Sequence, residues 1–170
     1  MNEIWKEVSE FEGRILVSNL GNVKEVARDY IIPQHLTGKY YKVGRGYPTV
    51  FIREPRSYRK VHRLVASAFL DDWDDSLQVD HKDGDTMNNN LSNLRMATPM
   101  QNKMGFKRPR GQSGFRGVSW HKTKKCWEAE MNHNGVREWL GRHKTPESGA
   151  IAWNKRAIEL GFFKEALNCV

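Results

Sequence analysis

Residues 79–102 read VDHKDGDTMNNNLSNLRMATPMQN. His81 follows Asp80 directly, and five asparagines fall within the next twenty-one residues. A neutral imidazole with a pKa near ~6.5 is suited to take a proton from water near neutral pH. Carboxylate and carboxamide oxygens are the donors that hard cations prefer. The stretch is therefore either a polar, Asx-rich turn or a site whose ligands come from its two ends.

The flanking elements favour the site. Leu77 and Val79 lead into a strand that ends on Asp80-His81, and residues 91–98 can return as a second strand. Thr98, Pro99 and Gln101 combine an N-cap, a proline at the first helical position and a capping-box glutamine, so Asn102 falls in the first turn of a short helix. Strand, loop, strand and helix make a ββα unit. If it folds back, Asp80 and Asn102 approach each other, as two oxygen ligands of one hard cation must. Asn88, Asn89 and Asn90, with Asp83-Gly84, read as the turn itself.

Asp80-His81, NNLSNLR at 89–95 and Gln101-Asn102 together resemble the HNH nuclease motif in the variant found among phage intron homing endonucleases. The resemblance implies that His81 is the general base for phosphodiester hydrolysis. It further implies that Asn93 orients that imidazole and that Asp80 and Asn102 bind one divalent metal. Asn102 stands where other members carry histidine, and its carboxamide oxygen favours Mg²⁺ or Mn²⁺ over zinc.

Charge is distributed in blocks. The chain of 170 residues has a formal charge of +8, of which residues 105–170 supply +7 (13 Lys+Arg against 6 Asp+Glu). Residues 39–63 hold eight bases opposed only by Glu54, whereas residues 64–94 hold seven aspartates. Basic, acidic and basic blocks suggest a polyanion held on both sides of a metal-attracting centre. Cys126 and Cys169 are distant and form no CxxC, so neither a disulfide framework nor a zinc knuckle is expected. No apolar run is of membrane-span length and MNEIWKEVSE is too polar for a signal peptide, so the expected location is the cytoplasm, that of the host cell for a phage-encoded protein.

Residues 4–52 read as short strands between turns, and Val61, Leu64, Val65, Ala68 and Phe69 predict a helix over 57–70. His62 reads as a packing or surface residue of that helix, and Arg63 as a phosphate contact. Trp5, Phe11-Glu12-Gly13, Val17-Ser18-Asn19 and Gly21 resemble a small module that precedes this nuclease type in phage proteins. Such a module is expected to lie along DNA with Lys39, Lys42, Arg45, Arg53, Arg56 and Arg59. Residues 105–114 lack periodicity and read as a basic linker, with Lys107, Arg108 and Arg110 as further DNA contacts.

Beyond the linker, residues 115–141 alternate as three strands, with His133-Asn134-Gly135 as a hairpin turn. A helix follows between Thr145-Pro146 and Gly161, with Ala150, Trp153, Ala157 and Leu160 on one face. Residues 113–168, through FRGV, WEAE, REWLG and the closing LN, resemble the Apetala-type, or ethylene-response-factor, DNA-binding domain. That family implies a three-stranded antiparallel sheet on one helix, with the sheet in the major groove and Arg116, Trp120, Arg137 and Trp139 at contacting positions. Ser119, His121 and Asn132 stand where plant members often carry arginine, so no plant target is implied. Trp127 and Trp153 are expected to pack sheet on helix.

The expected fold is α+β: a β-rich module at 1–56, a ββα-metal nuclease at 57–104, a linker at 105–113 and the groove-reading domain at 114–170. The expected function is a site-specific, metal-dependent DNA endonuclease of the homing type, nicking duplex DNA as a monomer with one Mg²⁺ or Mn²⁺ per site, no zinc and no obligate protein partner. The competing function is a catalytically silent DNA-binding regulator that keeps the fold. The complete set Asp80, His81, Asn93 and Asn102 argues against it. A nonspecific colicin-type nuclease fits poorly with a separate groove-reading domain.

Overall fold

In the computed structural model, which describes residues 2–38, 46–104 and 111–170, short apolar runs broken by turns become short strands, all paired antiparallel. β1 (Trp5–Glu7), β2 (Ile15–Ser18), β3 (Val23–Glu25) and β4 (Tyr30–Ile31) form a sheet in chain order. A second sheet holds β5 (His35–Thr37), β6 (Tyr47–Ile52) and β7 (Ser57–Lys60). The helix expected over 57–70 starts later, as α1 (Val61–Phe69). Residues 57–60 instead pair along β6, from Ile52 opposite Ser57 to Thr49 opposite Lys60, so sheet hydrogen bonds override the helical period there. β8 (Gln78–His81) and β9 (Leu94–Ala97) form a two-stranded ribbon, and α2 (Pro99–Met104) follows.

One core joins the first three of these assemblies. Val8, Phe11, Val17 and Val23 meet Val50 and Ile52 of β6, Val61, Leu64 and Val65 of α1, and Val79 and Leu94 of the ribbon. Each fully buried side chain of this size contributes roughly 1.5–3 kcal/mol. The expected division between residues 56 and 57 falls within a core that both sides share. The two compact units are Met1–Thr98 and Pro99–Val170. α2, expected with the nuclease, falls in the second unit. Met100 packs with the cluster of Met131, Trp153 and Phe162, and Gln101 Nε2 donates to Gly161 O at 2.9 Å.

In the second unit β10 (Val118–His121), β11 (Cys126–His133) and β12 (Val136–His143) form a sheet in chain order, with α3 (Pro146–Glu159) packed on one face. β11 and β12 turn at Asn134-Gly135. Thr145 caps α3 by accepting from Ser148 N–H at 3.2 Å, with Pro146 in the first turn. At the other end Gly161 N–H bonds to Ile158 O and Phe162 N–H to Ala157 O, the paired closure of a Schellman motif. Trp153, 1% exposed, fills the space between helix and sheet. That packing requires Gly117: a Cβ there would lie 2.3 Å from Trp153 Cδ1 and 2.4 Å from Glu130 O. Among the described residues no helix is long and apolar enough to cross a membrane.

Candidate active site

β8 delivers Asp80 and His81, 6% and 7% exposed, to the end of the ribbon. His81 Nε2 lies 3.1 Å from Asn89 Oδ1. Asn89 Nδ2 donates to Met87 O at 3.4 Å, which assigns the amide oxygen to the imidazole side. Nε2 then carries the ring proton and Nδ1 keeps its lone pair. Asn93, expected to orient the imidazole, sits elsewhere. Its Nδ2 donates to Asp83 Oδ1 (2.9 Å) and Asn88 O (2.8 Å), and its Oδ1 accepts from Asp83 N–H at 3.1 Å. The turn at Leu91–Asn93 places it at the neck of the loop, where it fastens one side to the other. The contact with the imidazole passes to Asn89.

Asp80 faces Arg95 across the ribbon. Arg95 Nε and Nη2 both reach Asp80 Oδ2 at 2.8 Å, with the two side chains 15% and 8% exposed. Asn102 is half-buried on α2, in the second unit. Among the described residues no three His, Cys, Asp or Glu side chains gather as a metal cluster.

Residues 59–104, which hold all of these groups, match the model of the HNH endonuclease family, and residues 3–53 match that of the NUMOD4 motif. The chain thus carries, in this order, a segment similar to the NUMOD4 motif and a segment similar to HNH endonucleases. An uncharacterized HNH endonuclease of Acanthamoeba polyphaga mimivirus is 35% identical over 105 residues, 59% of this chain and 25% of that protein. The DNA endonuclease I-HmuI of Bacillus phage SP01 is 34% identical over 95 residues, 55% of this chain and 52% of its own. A solved structure of I-HmuI, described as showing DNA binding and cleavage by an HNH homing endonuclease, aligns at 33% identity over 56% of this chain and 52% of that one, with a TM-score of 0.48. The chain thus spans about half of one curated relative and a quarter of the other.

Within the HNH segment, His62 is a second buried imidazole, 5% exposed. Its ring meets His81 edge-on at 5.2 Å and Tyr47 at 5.0 Å, so packing is its observed role. Nδ1 has no hydrogen-bond partner. Burial above all, then the charges of His81, Lys60 and Arg63, pushes its pKa down to about 3. The neutral form is thus favoured by folding, and the stability it carries is complete above the unfolded pKa of ~6.5 and lost as pH falls from there toward about 3. Acidification from pH 7 to pH 5 should cost the wild type about 2 kcal/mol more than His62→Phe. Urea midpoints at the two pH values check this; parallel losses would show that His62 does not carry the acid sensitivity.

The expected DNA contacts separate into groups. Lys39, Lys42, Arg45, Lys107, Arg108 and Arg110 lie outside the described residues. Arg53 and Arg56 are exposed between β6 and β7. Arg63 is ion-paired with Asp75 and stacks on Trp73 at 4.8 Å, and Arg59 is paired with Glu10, so both guanidiniums are engaged within the chain. In the second unit Glu138 reaches Arg156 of α3, which fixes Arg137 and Trp139 on the opposite, open face of β12. Arg137 is paired there with Glu130, and Trp139 is 58% exposed. Trp120 lies on the helix side with Val118, edge-on to Trp127 at 5.1 Å. Arg116 lies over the Trp153 ring at 5.6 Å, and its N–H donates to Asn168 Oδ1 at 2.6 Å. Trp120 is nonetheless 37% exposed, and Arg137 and Trp139 stand on the open face.

Asn89, Arg95 and the buried state of His62 escaped the sequence reading. Arg95 could have been found by pairing the ribbon about its loop, which sets it opposite Asp80. Asn89 stands between two other asparagines, and no local signal distinguishes it.

Proposed function

We propose that this chain is a site-specific, divalent-metal-dependent DNA endonuclease of the homing type that hydrolyses one phosphodiester bond per binding event. The observation that carries the reading is His81, held through Nε2 by Asn89 beside Asp80, inside an HNH segment. The relative I-HmuI, by name a DNA endonuclease, supports DNA as the substrate. Nδ1 of His81 takes a proton from water; the oxygen attacks phosphorus as the bond to the 3′-oxygen breaks, and that oxygen takes a proton from solvent, giving a 5′-phosphate and a 3′-hydroxyl. Asp80 is the carboxylate that would hold the divalent cation, with Asn102 as the motif's second oxygen ligand. When bound, that cation supplies charge neutralisation at the phosphate and the departing oxygen. Arg95, bonded to Oδ2 at 2.8 Å, holds the Asp80 side chain in place.

Site selection is assigned to the second unit, through Arg137 and Trp139 on the open face of its sheet. Its resemblance to the Apetala-type domain supports this, as does the +7 carried by residues 105–170. DNA would have to draw Arg137 away from Glu130. One centre per monomer favours a nick. The test is incubation with host or phage genomic DNA and Mg²⁺, mapping new ends on each strand. Discrete ends on one strand are expected, and Arg137→Ala should weaken binding at that site by ~1–3 kcal/mol and at random DNA by less. Tight binding with no new ends would instead establish a DNA-binding regulator.

A further inference from the structure

The loop that carries Asn89 is tied to the NUMOD4 motif. Gly21, in the turn between β2 and β3, has φ +88°, and a Cβ there would lie 2.9 Å from Asn89 Cβ and 3.3 Å from Asn89 O. Asn19 O accepts from Leu91 N–H at 2.8 Å, just beyond Asn89. On the other side of the loop Thr86 Oγ1 donates to Gly46 O at 2.6 Å. Gln34 Nε2 braces the turn by donating to Gly21 O at 2.8 Å. Asn89, 4% exposed, is thus wedged between a side-chainless turn and the imidazole it contacts.

We infer that Asn89 is a positioning residue for His81, and that Gly21 of the NUMOD4 motif acts through Asn89 to set the base, which makes the motif part of the catalytic centre's framework. The inference rests on the nuclease reading of His81. Without an acceptor at Nε2 the ring, though still packed against His62, loses the hydrogen bond that selects its tautomer and ring flip, so the lone pair at Nδ1 is aimed at water only part of the time. A methyl group at Gly21 pushes Asn89 off that position by contact, at a distance from any DNA phosphate. The consequence is a loss in the chemical step with binding retained.

The experiment uses the full chain with Mg²⁺ and a DNA fragment that the wild type cuts. It reads single-turnover rate at saturating protein, DNA affinity and thermal midpoint. Asn89→Ala should slow cleavage about 10- to 100-fold at unchanged affinity, and Asn89→Asp, which keeps an acceptor oxygen, should recover much of that. Gly21→Ala should slow cleavage in the same direction, but should add less in an Asn89→Gly background, because the 2.9 Å clash with the Asn89 Cβ is gone and only the 3.3 Å approach to its backbone oxygen remains. Gly21→Ala cutting at the wild-type rate, or losing the same factor with and without Asn89, overturns the inference while leaving the nuclease reading intact. Should Gly21→Ala be too unstable to assay, Thr86→Val runs the same cycle from the other tie, and equal losses in both backgrounds overturn it likewise. A wild type that binds DNA but cuts none overturns the nuclease reading and this inference together.

Discussion

His81→Ala should cut DNA ~10²–10⁴-fold more slowly than the wild type while binding it about as tightly, because the imidazole acts on water and carries no phosphate charge. The fold should tolerate the change. His81 is buried at the end of β8, but its hydrogen bond is to a single asparagine, and the ribbon is held independently by Asp80–Arg95 and by the Asn93 fastening of the loop. Single-turnover cleavage with parallel titration of affinity separates the two quantities. A rate within about threefold of wild type, well short of the loss expected for a general base, would remove His81 from that role.

The second large effect belongs to Asp80. Cleavage should stop in EDTA and return with Mg²⁺ or Mn²⁺. Asp80→Asn should raise the metal concentration needed for half-maximal rate and lower the maximum. Asp80→Ala is the less informative change, because it removes the carboxylate from a nearly buried ion pair. Loss of one member of a buried pair costs ~3–5 kcal/mol, so the alanine variant should also melt early. Asparagine leaves Arg95 an acceptor, and its midpoint should lie closer to the wild type. Cleavage that proceeds unchanged in chelator would exclude a metal step at this carboxylate.

Much of the positioning frame was legible in the residues themselves. The strand ending on Asp80-His81, the turn at Asn134-Gly135 and both ends of α3 follow from period-2 alternation and cap chemistry, which are local. What was not legible depends on long-range contacts. Ser57–Lys60 looks helical in a window that contains only itself and α1, and becomes a strand because β6 offers a partner. Asn93 rather than Asn89 was expected at the imidazole. Spacing along the motif does not say which carboxamide a loop of twelve residues turns inward, and that is settled by Gly21 and Asn19 some seventy residues earlier. The side of the sheet that Trp120 takes was also not legible, because it follows from the register of β10 on β11, which sets Trp120 opposite Trp127.

The single core shared by the first sheet, the β6–β7 hairpin, α1 and the ribbon also bears on inheritance. A recombination event that replaced residues 59–104 alone would splice two half-interfaces that had not evolved together, and Phe11, Val50 and Leu64 would face strangers. The smallest piece that can change hands between relatives without leaving a void runs from the first strand to the end of the ribbon. Lineages carrying this segment should therefore shuffle it with its amino-terminal partner attached.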